Sequence, residues 1–283
     1  MKITVCVASR ERPASLIGVV MSLHRMKSTR HELDFVLGLD EDDERTAKHL
    51  DAFEGELAPL YSVAPPVTVR GMIENRMIVA ARDAPSLDGP SQPLGVITLM
   101  SDRTYCITPA WDDWLARGVE VLANRVSWWQ CPEDPGCIIP IIPRAYLEAA
   151  DWQWSPEIFP FWWDDTWHQE IDLMIHGLRS KKARCTYAGA RGTTANGREF
   201  AFWLDVFIRT RDRRRALARS IAERLKVECP DRPDVDAYFA AYDQQMTDRC
   251  SGFEERFGDK RPAPERYGVA KESALKLLAE LPQ

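Results

Sequence analysis

Ile3-Thr4-Val5-Cys6-Val7-Ala8, running on into Ser9-Arg10-Glu11-Arg12-Pro13, is the stretch that decides the fold. Its first six residues are apolar or β-branched without alternation, the pattern of a strand buried on both faces. The polar turn Ser9–Arg12 ends that strand. Pro13 stands where a helix starts, since its missing N–H costs nothing in the first turn. Leu16, Val19, Val20 and Leu23 then recur at helical spacing. The same grammar repeats downstream. Leu33–Leu39 predicts a second strand ending in the acidic cluster Asp40-Glu41-Asp42-Asp43-Glu44. A helix is expected from Thr46 to Leu57, a short strand at Val67–Arg70, and a helix at Met72–Ala84 that carries Asn75 and Arg76. Leu94–Met100 predicts the third long strand, closing on Ser101-Asp102-Arg103. Strands separated by helices imply an α/β fold with a mostly parallel sheet, whose ligands gather at the carboxyl ends of the strands. Those ends carry Ser9–Arg12, Asp40–Asp43 and Asp102.

Further along, a helix is expected around Trp111, Trp114, Leu115 and Val119, with strand-like segments at Arg125–Gln130 and Cys137–Ile142. An aromatic stretch, Trp152 to Trp163, precedes a helix that opens at Asp164-Asp165 and stops at Gly177. Along that helix Trp167, Ile171, Met174, Ile175 and Leu178 form an apolar stripe. Asp165, His168, Asp172 and His176 fall opposite, where a solvated face is expected, and Asp164 lies near the edge of the stripe. A last strand, Ala183–Ala188, leads into the Gly-rich segment Gly189–Gly197. From Phe202 the character changes to helical stretches at 202–227 and 234–257, then a short helix near Lys271–Leu281. The expected division is a domain of residues 1–200 and a helical C-terminal extension of residues 201–283.

Composition excludes other classes. The 283 residues are 45% hydrophobic and 28% charged, ordinary globular usage that rules out fibrous and wholly disordered chains. A net charge of -6 argues against a surface built throughout to grip phosphate backbones. The helical stretch over 209–226 is the local exception. Its Arg209, Arg211, Arg213, Arg214, Arg215, Arg219, Arg224 and Lys226 either meet an anionic partner or pair with acidic residues of the chain. Seven cysteines, none in a Cys-x-x-Cys pair, read as free thiols of a reducing compartment. The apolar run after Met1-Lys2 is too short for a signal peptide, and no apolar run approaches the ~20 residues of a transmembrane segment. A cytoplasmic location is therefore expected. Ten tryptophans crowd mostly between Trp111 and Trp167.

Four segments, in order, resemble the GT-A glycosyltransferases of the broad family 2 group. They are Val7-Ala8-Ser9-Arg10-Glu11-Arg12-Pro13; Gly38-Leu39-Asp40-Glu41-Asp42-Asp43; Gly71-x-x-x-Asn75 with Leu99-Met100-Ser101-Asp102 and Thr108-Pro109-Ala110-Trp111-Asp112; and Phe161-Trp162-Trp163-Asp164-Asp165 opening the helix that ends at Gly177. The resemblance spans about residues 1–190. It implies a GT-A-like, Rossmann-like sheet and a transferase that moves a sugar from a nucleotide-sugar donor to an acceptor hydroxyl. The family's metal-binding Asp-x-Asp is degenerate here, with Met100 in place of the first carboxylate, and no histidine follows His176.

Sugar transfer builds charge on a departing diphosphate, which a divalent ion or fixed cationic donors must neutralise. Under the resemblance Asp102 is the candidate ligand for a divalent metal, Mn or Mg. Asp40, Asp42 and Asp43 would accept from the donor's base and ribose, the alternative being a solvated, helix-capping acidic run before Arg45–Leu50, and Arg10, Arg12, Asn75 and Arg76 complete the donor set. The acceptor's proton needs a carboxylate. Asp165 takes that role by its spacing to Gly177 in the resemblance, and Asp164 by the helical wheel. Indole faces stack on sugar C–H faces, which makes Trp154, Trp162 and Trp163 candidates for the acceptor. The acceptor itself is open between glycan, protein, lipid and modified nucleic acid. Two rivals stand beside this reading. One is an inactive GT-A-derived binding or structural module, in keeping with Met100. The other is a sugar-phosphate nucleotidyltransferase, which shares the sheet but wants a Gly-rich loop where Ser9-Arg10-Glu11-Arg12 has no glycine.

Overall fold

Strand β1 (Lys2–Ser9) lies inside the sheet, where its doubly apolar sequence places it. It runs parallel to β2 (Glu32–Leu39) on one side and to β4 (Leu94–Ser101) on the other, with Cys6 in register with Val36 and Leu99. The structure is a computed structural model. It describes residues 1–9, 11–40, 43–52, 61–63, 70–83, 94–102, 104–122, 124–130, 138–154, 156, 158–159, 163–178, 182–183, 187–189, 199–257 and 265–281.

Among the described residues the main sheet has seven strands in the order β3-β2-β1-β4-β7-β6-β8, with β3 at Tyr61–Val63, β6 at Ser127–Gln130, β7 at Ile138–Pro143 and β8 at Lys182–Ala183. Strand β7 is antiparallel to both of its neighbours, and every other pairing is parallel. The mostly parallel α/β sheet expected from the sequence is present. Two more strands, β5 (Thr104–Cys106) and β9 (Tyr187–Gly189), form a separate antiparallel pair.

Ile3, Val5 and Val7 point from one face of β1 into a core with Leu16, Val19, Val20 and Leu23 of α1 (Pro13–Met26) and with Trp111 and Leu115 of α4 (Trp111–Leu122). On the other face Cys6 is buried near Glu74 of α3 (Arg70–Asp83), and burial followed by that carboxylate pushes its thiol pKa well up. Helix α2 (Glu44–Ala52) follows β2. Tyr105 of β5 packs over α1 at Gly18, where a Cβ would lie 2.8 Å from the ring's Cε1. The close approach of strand to helix is what requires glycine there.

Contacts gather the chain into two compact units, Met1–Thr68 with Met72–Trp154 and Lys181–Ala190, and Val69–Gly71 with Ser155–Ser180 and Arg191–Gln283. The first holds both sheets. The second holds α6 (Asp164–His176), α7 (Phe200–Arg209), α8 (Arg211–Leu225), α9 (Pro233–Phe257) and α10 (Glu265–Ala279). Its core is aromatic. Trp163 stacks on Phe207 at 4.7 Å, and Phe159 lies 6.0 to 6.2 Å from Trp167, Trp203 and Phe207. Within it Arg214 is fully buried, its guanidinium 3.9 Å from the Phe207 centroid and 4.8 Å from that of Trp167. Glu170 serves both Arg214 and Arg211, and Arg211 also forks onto Asp243 at 2.6 and 2.8 Å. Two arginines and two carboxylates thus close a buried network without net charge. Burial lowers the Arg214 pKa to about 10 against the pull of Glu170. Burial acts the same way on Arg211, but its bonds to Asp243 and Glu170 outweigh that and hold it above the ordinary value.

Several expectations are corrected. The strand beside β2 is Tyr61–Val63; residues 67–69 of the expected strand lie outside the described residues, and Arg70 already belongs to α3. The expected strand 183–188 is two short strands in two sheets. A six-residue helix, α5 (Arg144–Ala149), follows β7 without having been foreseen. The expected helix 202–227 is two helices that break at Thr210. Its buried hydroxyl bonds the carbonyls of Val206 and Phe207 at 2.7 and 3.1 Å, a side-chain competitor for the last carbonyls of the first helix. Finally, the polar side of α6 is not solvated: His168 and Asp172 are each 1% exposed, as buried as Ile171 and Ile175.

Candidate functional site

Register brings the strand ends together. Ser9 pairs with Leu39 at the end of β2, and Ala8 pairs with Ser101 at the end of β4, so Ser9, Asp40 and Asp102 leave the sheet side by side. Ser9 Oγ donates to Asp102 Oδ2 at 2.8 Å, and Arg12 Nη1 donates to Asp102 Oδ1 at 2.9 Å. Asp102 is 2% exposed, whereas the Arg12 side chain remains 35% exposed. The carboxylate is therefore neutralised from within, by a side chain that is itself only partly buried.

The loop that carries Arg12 is fixed from the second strand. Glu11, in the left-handed region with φ 56, donates its N–H to Asp43 Oδ2 at 2.7 Å. The other oxygen of Asp43 accepts the N–H of Thr46 at 3.0 Å, which caps the start of α2. The Asp43 N–H closes a turn onto the Asp40 carbonyl at 3.0 Å. One buried carboxylate thereby ties the turn after β1 to the turn after β2. The sequence offers Asp43 to the donor along with Asp40 and Asp42, with a helix-capping role as the alternative, and Asp43 is the cap.

Asp40 is half-buried at the end of β2. Arg10 and Asp42 lie outside the described residues. Asn75 is buried in the first unit, where its Oδ1 accepts the backbone N–H of Trp154 at 2.8 Å, and Arg76 next to it is exposed. The Trp154 indole is 1% exposed and packs 6.0 Å from Trp128, so its contacts are those of a core residue. Trp162 lies outside the described residues. Trp163 is 2% exposed, and its backbone is left-handed at φ 79 just before α6. Asp164 and Asp165 are the first two residues of α6, and their side chains lie outside the described residues. At its other end α6 stops at Gly177, with φ 78 and ψ 179. Arg232 there donates to the carbonyls of Met174 and Ile175 at 3.3 and 3.0 Å.

The basic stretch is internally paired. Arg209, Arg213, Arg215 and Arg219 reach Asp205, Glu280, Asp212 with Asp236, and Asp231, while Arg211 and Arg214 face Glu170. Such surface pairs add little stability each.

The described strand-end residues do not fit a divalent ion. Both Asp102 oxygens are engaged, Met100 puts a buried thioether where a second carboxylate would stand, and an ion on Oδ1 would sit within about 5 Å of the Arg12 nitrogen. At an effective dielectric of about 20, that like-charge contact costs about 7 kcal/mol. Elsewhere among the described residues, His31, Asp112 and Asp113 bring ligating atoms within 4.8 Å of one another. They sit at the amino end of β2, where Ser28 occupies both Asp112 oxygens at 2.7 Å, His31 pairs with Asp113 at 3.2 Å, and the cluster anchors the start of α4.

No family model matches the sequence, and no curated protein matches it significantly. Solved structures match in fold. Mannosyltransferase PcManGT from Pyrobaculum calidifontis, in complex with GDP-Man and Mn2+, is 13% identical, with a TM-score of 0.50 over 97% of this chain and 80% of that one. S. aureus TarS 1-349 is 12% identical, with a TM-score of 0.53 over 97% and 79%. Its complex with UDP-GlcNAc matches at 12% identity and a TM-score of 0.50 over 98% and 81%. The chain has the GT-A glycosyltransferase fold. Among the described residues no helix is long and apolar enough to cross a membrane.

Proposed function

We propose that this chain is a glycosyltransferase that moves a sugar from a nucleotide-sugar donor to an acceptor hydroxyl. One observation carries the reading: in a GT-A fold, the carboxyl ends of β1, β2 and β4 gather Arg12, Asp40 and Asp102. Open α/β sheets bind their ligands at that edge. Asp40, with Asp42, takes the nucleoside, where a carboxylate accepts from the base and ribose. Arg12, with Arg10 and Arg76, meets the diphosphate. Asn75, buried with its Oδ1 on the Trp154 N–H, takes a supporting role in the first unit. The acceptor's proton goes to Asp165 or Asp164, and Trp162 offers an indole face to the acceptor. Free thiols at Cys6, Cys106, Cys229 and Cys250 agree with a cytoplasmic setting.

Melting-temperature shifts across a panel of UDP- and GDP-sugars, with and without Mn2+, test the reading. A donor present at about 100 times its Kd adds about 2.7 kcal/mol of stability. The absence of stabilisation by every sugar nucleotide and every nucleoside diphosphate would rule the reading out. The engaged Asp102 and the thioether at Met100 favour one rival, a GT-A-derived binding module without turnover. Donor binding with neither transfer nor donor hydrolysis is the outcome that selects it.

A further inference from the structure

We infer that the donor diphosphate of the proposed glycosyltransferase is met by the Arg12 guanidinium, held in place by Asp102, and not by a divalent cation. The inference rests on the donor-site reading above and adds what stands in for the metal.

Three observations carry it. First, the strand-end carboxylate that would hold an ion already has a cation. Arg12 is 2.9 Å from Oδ1, Ser9 occupies Oδ2 at 2.8 Å, and the carboxylate is 2% exposed. Second, Met100, buried in β4, supplies no oxygen, and a hard divalent ion wants several. Third, Arg12 has five N–H donors, and its only partner among the described residues is Asp102. Its side chain is 35% exposed, and a planar fork with donors left over after Asp102 suits two phosphate oxygens. No acidic residue in the first turn of α1 competes for it. Asp102 is then a positioning residue. It fixes the guanidinium as the ion would have been fixed, and Ser9 and the Asp43 clamp fix Asp102 and the loop in turn.

Catalytically, the exchange is charge for charge. The acceptor oxygen bonds to the anomeric carbon and gives its proton to Asp165 or Asp164, while the bond from that carbon to the diphosphate oxygen breaks with its electron pair on the leaving diphosphate. A cation already in place lowers the cost of that charge without any reorganisation.

The test is binding of UDP and GDP to the full chain by calorimetry, in EDTA and again with Mn2+, followed by the variants. The expected result is a Kd that agrees within about twofold between the two conditions. Arg12→Ala should weaken the diphosphate by about 10- to 100-fold, the range for a charge-assisted bond, and Arg12→Lys by less. Asp102→Asn should lower the ratio of diphosphate to nucleoside affinity, UDP against uridine and GDP against guanosine, while leaving nucleoside binding nearly unchanged, which a general structural defect would not do. Binding that requires Mn2+, or metal-free binding that ignores both Arg12 substitutions, overturns the inference and leaves the donor site standing. Absence of UDP and GDP binding in both conditions overturns the inference, and the glycosyltransferase reading itself falls only when no sugar nucleotide and no nucleoside diphosphate stabilises the chain.

Discussion

Glu170 Oε2 lies 2.5 Å from Arg214 Nε inside the aromatic core of the second unit, and the same carboxylate also serves Arg211. Glu170→Ala leaves Arg214 buried against Phe207 and Trp167 with no direct ion pair, and should cost about 3–5 kcal/mol. Arg214→Met keeps the apolar packing and leaves Glu170 to Arg211, so it should cost no more than about half of that. Urea unfolding of the two variants checks the order. A smaller loss for Glu170→Ala than for Arg214→Met would mean that packing, not charge pairing, governs this core.

Gly177 is demanded twice, by its backbone and by its neighbour. Its φ of 78 with ψ 179 is a region that only glycine adopts readily, and a Cβ would lie 3.1 Å from the Arg232 guanidinium. Gly177→Ala should lose about 2–3 kcal/mol, and Arg232→Met about 1 kcal/mol, through the capped carbonyls of α6. Chemical denaturation measures both. Equal stability of Gly177→Ala and wild type would refute the account of how α6 ends.

Asn75 separates a supporting role from a ligand-binding one. Removing its carbonyl leaves the buried Trp154 N–H without that acceptor, so Asn75→Ala should cost about 1–3 kcal/mol of stability. Loss of donor affinity at an unchanged melting temperature would instead make Asn75 a direct ligand.

His24 gives the fold a pH dependence of known sign. Burial, and then Lys27, hold its imidazole below the ordinary pKa. The unfolded chain takes up a proton near pH ~6.5 while folded His24 stays neutral. The unfolded state therefore binds more protons, and native stability falls as the pH drops through that value. His24→Gln should shrink the difference between urea midpoints measured at about pH 7.5 and about pH 5. An unchanged difference would assign that loss to other groups.

Asp164→Asn and Asp165→Asn, made separately, identify the proton acceptor. The variant that removes it should lower kcat about 10²- to 10⁴-fold with donor binding intact. Full turnover in both would move the base elsewhere.

The strands were legible because burial on two faces writes itself as an unbroken apolar run, as in Ile3–Ala8. The end of α6 was legible because Gly177 has few other uses. What escaped reading was long-range or two-sided. Glu11 and Asp43 are 32 positions apart, and Arg12 and Asp102 are 90 apart, so no local pattern joins them. Helical periodicity located the apolar stripe of α6, but polar residues that find partners can be buried too, as His168 and Asp172 are. An aromatic-rich segment reads the same whether its indoles face a ligand or one another, and Trp154 and Trp163 face their own cores.

The double duty of Asp43 bears on binding. Fixing one residue's backbone costs about 1–2 kcal/mol of entropy, and the clamp from Glu11 N–H to Asp43 to Thr46 N–H meets that cost during folding. A ligand that approaches over Ser9 and Arg12 finds a preorganised turn and has little to order as it lands. Loosening the clamp with Asp43→Ala should then weaken binding, because the ligand would have to order the turn itself.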